Sequence, residues 1–215
     1  MSVRGPLLIL GFGGHARSVG DVALAAGFKR LLFIDEHARD GEAFEGHRVL
    51  STLPKPDGDY WQAFPAAGQN FRREHQCQEA PHPLATLVAP SATIGIGASV
   101  GEGTLLARNS HVGPLAQIGR GVILNTGCVV DHECMVGDFS HISVNATVAG
   151  RVKIGRRVML GAGAVVIDNL SICDDVVIGA GAVVVDDITM AGTYVGVPAR
   201  PVDRRKPLTD DAVDL

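Results

Sequence analysis

Between Val88 and Met190 every sixth residue is aliphatic or methionine. The series is Val88, Ile94, Val100, Leu106, Val112, Ile118, Leu124, Val130, Val136, Ile142, Val148, Ile154, Leu160, Val166, Ile172, Ile178, Val184 and Met190, without a break. In a chain that is 46% apolar, such a run arises by chance on the order of a few times in a million. A period of six suits neither an amphipathic helix nor a simple hairpin. It predicts short strands separated by turns and wound into a solenoid.

The companion positions agree. Two residues before most anchors stand small or apolar residues, among them Ala92, Ala98, Thr104, Ser110, Ala116, Cys128, Cys134, Ser140, Ala146, Ala164 and Ala182. Strand side chains alternate, so the small residue and the branched one two later both point inward, and the core is a narrow stack. Just after the anchors come Gly95, Gly101, Gly113, Gly119, Gly137, Gly155, Gly161 and Gly179, where a turn of positive φ is expected. An ordinary β-sandwich does not keep one register over so long a stretch.

The chain has 215 residues and a net charge of −4, room for one large or two modest domains. A near-neutral balance without a basic run argues against nucleic acid as a partner. Four cysteines, Cys77, Cys128, Cys134 and Cys173, form no CxxC pair, and Cys128 and Cys134 fall on inward positions. They read as reduced core thiols rather than a disulfide framework or zinc site. The segment Met1 to Gly5 holds no apolar run of signal-peptide length, and nothing approaches a membrane span, so a cytoplasmic protein is expected.

Residues 1–83 do not follow the period and read as a separate α/β unit. A buried-type strand at Leu7 to Leu10 leads to the turn Gly11-Phe12-Gly13-Gly14-His15, then to Val19, Val22, Ala23 and Ala26 at helical spacing, with Gly27 as the stop. A second strand, Leu31 to Ile34, ends at Asp35. His37 to Asp59 reads as loop. A third strand within Trp61 to Ala67 is weakened by Pro65, and Gly68-Gln69-Asn70 caps a helix reaching about Ala80. The solenoid takes 84–202, closed by Gly196-Val197-Pro198-Ala199, and 203–215 is a polar tail.

Two motifs carry chemistry. Gly11-x-Gly13-x-x-Ala16, between a strand and a helix, has the form of a dinucleotide fingerprint, whose glycines let backbone N–H groups reach a phosphate. Asp35 stands about where an acid would grip a ribose. The unit is half of a full dinucleotide fold, so a mononucleotide group fits it better than NAD, and a purely structural turn is the competing reading. His15, at the mouth of the turn, either donates to a phosphate or is a solvated loop residue. The second motif is Asp131-His132-Glu133, outside the inward pair. A neutral imidazole flanked by carboxylates suits a general base, because the carboxylate orients the ring and stabilises its protonated form.

Together, Gly11-Phe-Gly-Gly-His-Ala, Val122-Ile-Leu-Asn-Thr, Asp131-His-Glu-Cys, Gly137-Asp-Phe-Ser-His and Gly196-Val-Pro-Ala resemble the bacterial sugar O-acyltransferase family that includes sialic acid O-acetyltransferases. They are most similar to its nucleotide-sugar N-acetyltransferases of bacillosamine and perosamine type. The resemblance implies an N-terminal half-Rossmann-like α/β domain followed by a left-handed parallel β-helix with three hexads per coil, hence about six coils. It implies a homotrimer with acetyl-CoA between neighbouring subunits, no metal, and a place in bacterial glycan biosynthesis. On this resemblance His132 is the base, Glu133 polarises it, and the Gly150 N–H is the oxyanion donor. Asn125 meets the sugar and His141 lies near the thioester. Gly13, Gly14 and His15 meet the diphosphate, Asp35 the base or ribose, and Gly68 and Asn70 the sugar side.

The chemistry is self-consistent. Aminolysis of a thioester needs a neutral amine, a base and an oxyanion donor, and no covalent intermediate. His132 and His141 are nine residues apart, half of an eighteen-residue coil, so a shared site draws one of them from a neighbouring subunit. Arg151, Lys153, Arg156 and Arg157 either hold CoA phosphates or form a solvated face. An O-acetyltransferase acting on a sugar hydroxyl is the main alternative. A non-catalytic nucleotide-sugar sensor and a zinc enzyme using His111, His132 and His141 are more remote, the last because the histidine spacings do not suit a shared metal.

Overall fold

The computed structural model describes residues 5–54 and 60–202; the 203–215 tail lies outside the described residues. The first part is a parallel sheet with helices packed on it. Its elements are β1 (Leu7–Leu10), α1 (Gly14–Ala25), β2 (Leu31–Ile34), β3 (Ala43–Phe44), β4 (His47–Leu50), β5 (Gln62–Pro65) and α2 (Asn70–Gln78). The sheet order is β3-β4-β2-β1-β5, parallel except for the β3–β4 hairpin. Helix α1 buries Ala16, Val19, Gly20, Val22 and Ala23. It ends where expected: the Gly27 N–H bonds to the Leu24 carbonyl and the Phe28 N–H to that of Ala23, with Gly27 at φ 99.

Two expectations need correcting. The His37 to Asp59 loop contains β3 and β4, too short and too mixed in polarity to show an alternation, and β4 gains its place by pairing with β2. Pro65 does not spoil β5. It is the strand's last residue on the sheet edge, where a missing N–H costs no ladder bond.

From Leu87 the chain winds as a left-handed parallel β-helix whose strands form three sheets. Each strand pairs with the one eighteen residues on, as Leu105 with Ile123, His111 with Val129 and Gln117 with Met135, so one coil is three hexads. The first face begins at Leu87–Val88, the second at Thr93–Ile94 and the third at Ser99–Val100. Anchors from Leu106 to Val184 are buried in one continuous core, each contributing roughly 1.5–3 kcal/mol. The inward hydroxyls are satisfied by the stack: Thr104 donates to the Gly119 carbonyl (2.9 Å) and Ser140 to that of Gly155 (2.8 Å).

The period fails at both ends. Ile94 has no coil beneath it and is 45% exposed. Met190 is 69% exposed, because the last coil is two residues short and Ile188 fills the place above Ile172. The post-anchor glycines do not take positive φ. That conformation falls two residues later, on Gly97 and Gly103 but also on Leu115, Glu133, Arg151 and Asn169. Post-anchor glycines serve close stacking instead: a Cβ on Gly113 would collide with the backbone of Asp131 and His132 in the next coil.

Candidate active site

The Asp-His-Glu segment forms the turn that follows Val129–Val130 on the second face. Asp131 Oδ1 accepts the backbone N–H of His132 (2.7 Å), fixing the turn. Glu133, at φ 58, brings Oε2 to 3.1 Å from His132 Nδ1. A carboxylate only accepts, so Nδ1 carries a proton, and in the neutral ring the lone pair is on Nε2. Nε2 faces the next coil. A Cβ on Gly150 would overlap it, so the ring lies against a bare α-carbon. Glycine at 150 is thus needed first to house the imidazole. The Gly150 N–H, beside the ring, has no acceptor among the described residues.

Arg151 Nε lies 3.1 Å from the same Glu133 Oε2. The bond from His132 and then that from Arg151 hold the Glu133 carboxyl below its ordinary value. Of the residues expected to hold CoA phosphates, Arg151 therefore has a carboxylate partner, as do Arg156 with Glu74 and Arg157 with Glu74 and Asp175. Lys153 stands exposed on the third face.

A second constellation lies where the α/β part covers the first face. Outward positions in successive coils are Leu87, Leu105, Ile123 and His141; the first three are buried in the core of the α/β part. His141 comes next and is 7% exposed, its ring centroid 6.0 Å from that of His15. Asn125 Nδ2 donates to His141 Nε2 (3.1 Å), and Gly68 lies against the His15 side chain. Gly13, the extended N-cap of α1, leaves the first turn without a side-chain cap or an acidic residue.

No carboxylate stands among these groups. Burial first, then the Arg73 charge, lowers His15 to about 4; burial, Arg73 and His15 hold His141 well below its ordinary value. Both rings are neutral, and His15 Nε2 and His141 Nδ1 are buried without a partner. Unpartnered ring nitrogens beside free helix N–H groups suit an anionic, hydroxyl-bearing ligand.

Gly13, Gly14, His15, Gly68, Asn125 and His141 thus share one cleft. His132, Glu133, Gly150 and Arg151 share a corner of another face. Asp35 braces the glycine turn, its Oδ2 accepting the Phe12 N–H (2.7 Å) and its Oδ1 the His37 N–H (2.9 Å). Asn70 is a joint between the two parts: it donates to the Arg157 carbonyl (2.8 Å) and accepts from Arg73 Nη2 (2.8 Å).

Comparison with known proteins follows the same division. The "PglD N-terminal domain" family model matches residues 6–80, and the bacterial transferase hexapeptide model (six repeats) matches residues 151–186. The solved acetyltransferase domain of PglB from Neisseria gonorrhoeae FA1090 is 30% identical, with TM-score 0.84 over 92% of this chain and 99% of that one. The chain belongs to the nucleotide amino-sugar acetyltransferases. A mutant of perosamine N-acetyltransferase from Caulobacter crescentus, solved with CoA and GDP-perosamine, is 29% identical with TM-score 0.83 over 93% of this chain and 98% of that one. WeeI from Acinetobacter baumannii AYE, at 20% identity and TM-score 0.58 over 91% and 99%, shares the fold. Curated proteins give no match.

In this acetyltransferase the core thiols are poorly placed to act as nucleophiles. All four cysteines are free, and burial pushes Cys128 up to about 12 and raises Cys134 as well, so neither is a thiolate near neutral pH. No helix among the described residues is long and apolar enough to cross a membrane.

The residue that sequence reading missed is Arg73, wholly buried in α2. It donates to the carbonyls of Gly121 (2.6 Å), Phe139 (2.6 Å) and Ser140 (3.3 Å) in the β-helix, and to those of Ala67 (3.1 Å) and Gly68 (3.0 Å) in its own part. A faint signal existed. In the polar helix Asn70–Gln78 only Arg73 and Cys77 are buried, one turn apart, while the helix's other apolar residue, Phe71, is exposed.

Proposed function

We propose that this enzyme transfers the acetyl group of acetyl-CoA to the 4-amino group of a nucleotide-linked 4-amino-4,6-dideoxysugar, with His132 as general base. One observation carries the reading: the Glu133-oriented imidazole presents a free Nε2 beside the bare α-carbon and unpartnered N–H of Gly150. The solved relatives in complex with acetyl-CoA, or with CoA and GDP-perosamine, support this substrate class.

In the step so drawn, the neutral amine attacks the thioester carbonyl carbon. The N–C bond forms as the amine proton passes to His132 Nε2, and the oxyanion develops against the Gly150 N–H. The C–S bond then breaks, and the proton on Nε2 leaves with the CoA sulfur as the free thiol. Glu133 stabilises the imidazolium in between. The cleft of His15, Gly68, Asn125 and His141 receives the diphosphate and sugar, with the nucleotide beyond the glycine turn near Asp35.

Cleft and corner lie on different faces of one chain, so the site is completed by a neighbouring copy in a homotrimer. The exposed side chains of Ile96 and Leu115, 91% and 57% accessible on the turns below His132, suit such a contact. Sedimentation that gives a monomer breaks this part of the proposal.

The test is thiol release from acetyl-CoA with UDP-, GDP- and dTDP-4-amino-4,6-dideoxysugars and sialic acid, on the wild type and His132→Asn. Turnover of one amino sugar, reduced about 10²–10⁴-fold in the variant, is expected. Turnover of sialic acid alone makes the enzyme an O-acetyltransferase instead.

A further inference from the structure

The turn residues at the His132 corner repeat every coil as Leu115, Glu133, Arg151 and Asn169, with φ values of 62, 58, 61 and 61. Equal backbone conformation in equal register stacks their side chains into a column. In that column Glu133 Oε2 is shared, 3.1 Å from His132 Nδ1 and 3.1 Å from Arg151 Nε. Arg151 Nη1 in turn reaches Asn169 Oδ1 (3.4 Å). The guanidinium is therefore held from both sides and aimed at the carboxylate.

The charged groups around His132 are few. On its own turn stand Glu133 and Asp131, the latter turned to the backbone N–H of His132. The next coil brings Arg151, and the one after it Asp168, which is bonded to Asn169. The preceding coil offers Gly113, Pro114 and Leu115, none of them charged. Glu133 alone would draw a proton onto the ring, and a protonated ring is no base. A cation sharing the same oxygen offsets that pull while leaving the Nδ1–H bond in place.

We propose that Arg151 is a positioning residue for the base: it pins Glu133 Oε2 on His132 Nδ1 and shares that oxygen's charge, holding the ring with Nε2 turned to the Gly150 side. This rests on the reading of His132 as base, and it replaces the sequence expectation that Arg151 holds a CoA phosphate.

The experiment follows the His132 ring through a pH titration by NMR in the full-length protein, with its resonance assigned by its loss in His132→Asn. CoA binding is measured in parallel by calorimetry. In Arg151→Gln the ring's midpoint is expected to rise by about half to one pH unit relative to wild type, with the Kd for CoA within about twofold. Arg151→Lys, which restores the charge, brings the midpoint most of the way back. An unmoved midpoint in Arg151→Gln overturns the proposal, and if the Kd for CoA also rises about tenfold, Arg151 is a phosphate ligand. Failure of the parent reading looks different: His132→Asn then keeps thiol-release activity, whatever Arg151→Gln does to the ring.

Discussion

The two histidine regions are built from opposite physics. At the corner, His132 is 39% exposed with a carboxylate at 3.1 Å, on a turn that a neighbouring coil supports through Gly150 and Arg151. In the cleft, His141 is buried and His15 is half-buried with its Nε2 enclosed; neither has a carboxylate partner among the described residues, and both feel the charge of a buried arginine. A carboxylate favours a ring that takes up a proton and releases it. Burial beside a cation favours one that stays neutral and offers one donor and one acceptor to a ligand. Two identical side chains thus fit proton transfer in one place and recognition in the other, because their surroundings differ.

The largest expected effect tests what keeps the cleft closed. Arg73→Met removes the donor for five backbone carbonyls, three of them in the β-helix, and is expected to cost roughly 3–5 kcal/mol in urea unfolding. A loss below about 1 kcal/mol would mean that apolar packing at Leu87, Leu105 and Ile123 holds the two parts together unaided. Gly150→Ala comes next and acts at the corner alone. The new methyl group occupies the space of His132 Nε2, so the ring must swing away; about 100-fold lower kcat with an unchanged urea midpoint is expected. Undiminished turnover would separate the base from this corner.

The smallest effect reads the protonation of the cleft. His15 is lowered to about 4 from an ordinary 6.5, so the unfolded chain binds a proton in a range where the folded chain does not. Its contribution to stability is complete above pH 6.5 and is lost as pH falls toward 4. Unfolding free energy should drop on the order of 1–2 kcal/mol between pH 7 and pH 5, and His15→Gln should flatten that slope. An identical slope in the variant would place His15 in water and leave His141 alone to carry the contrast with the corner.

Much of the architecture was legible because it repeats. A residue's place in a hexad fixes whether it points inward, so Cys128, Cys134, Ser140 and the anchors from Leu106 to Val184 could be placed from spacing alone. The outward column Leu87, Leu105, Ile123, spaced one coil apart, also carried the mark of a covered face. His132 and Glu133 stood out as neighbours in sequence, and neighbours on one turn touch whatever the remainder of the fold does. The short last coil was not legible, since Met190 keeps the period that the backbone abandons.

By itself, then, the sequence determined the solenoid, its hexad register, the βα start with its glycine turn, and the Asp-His-Glu motif, all set by periods and contacts between near neighbours in the chain. Tertiary structure alone decided the rest: Arg73 reaching Gly121 and Phe139, Gly150 giving way to the His132 ring, Arg151 turning to Glu133, and His15 meeting His141. These pairings join residues eighteen or more apart. They depend on coil stacking and on how the α/β part docks, and side-chain identity alone carries no record of which distant partner will satisfy it.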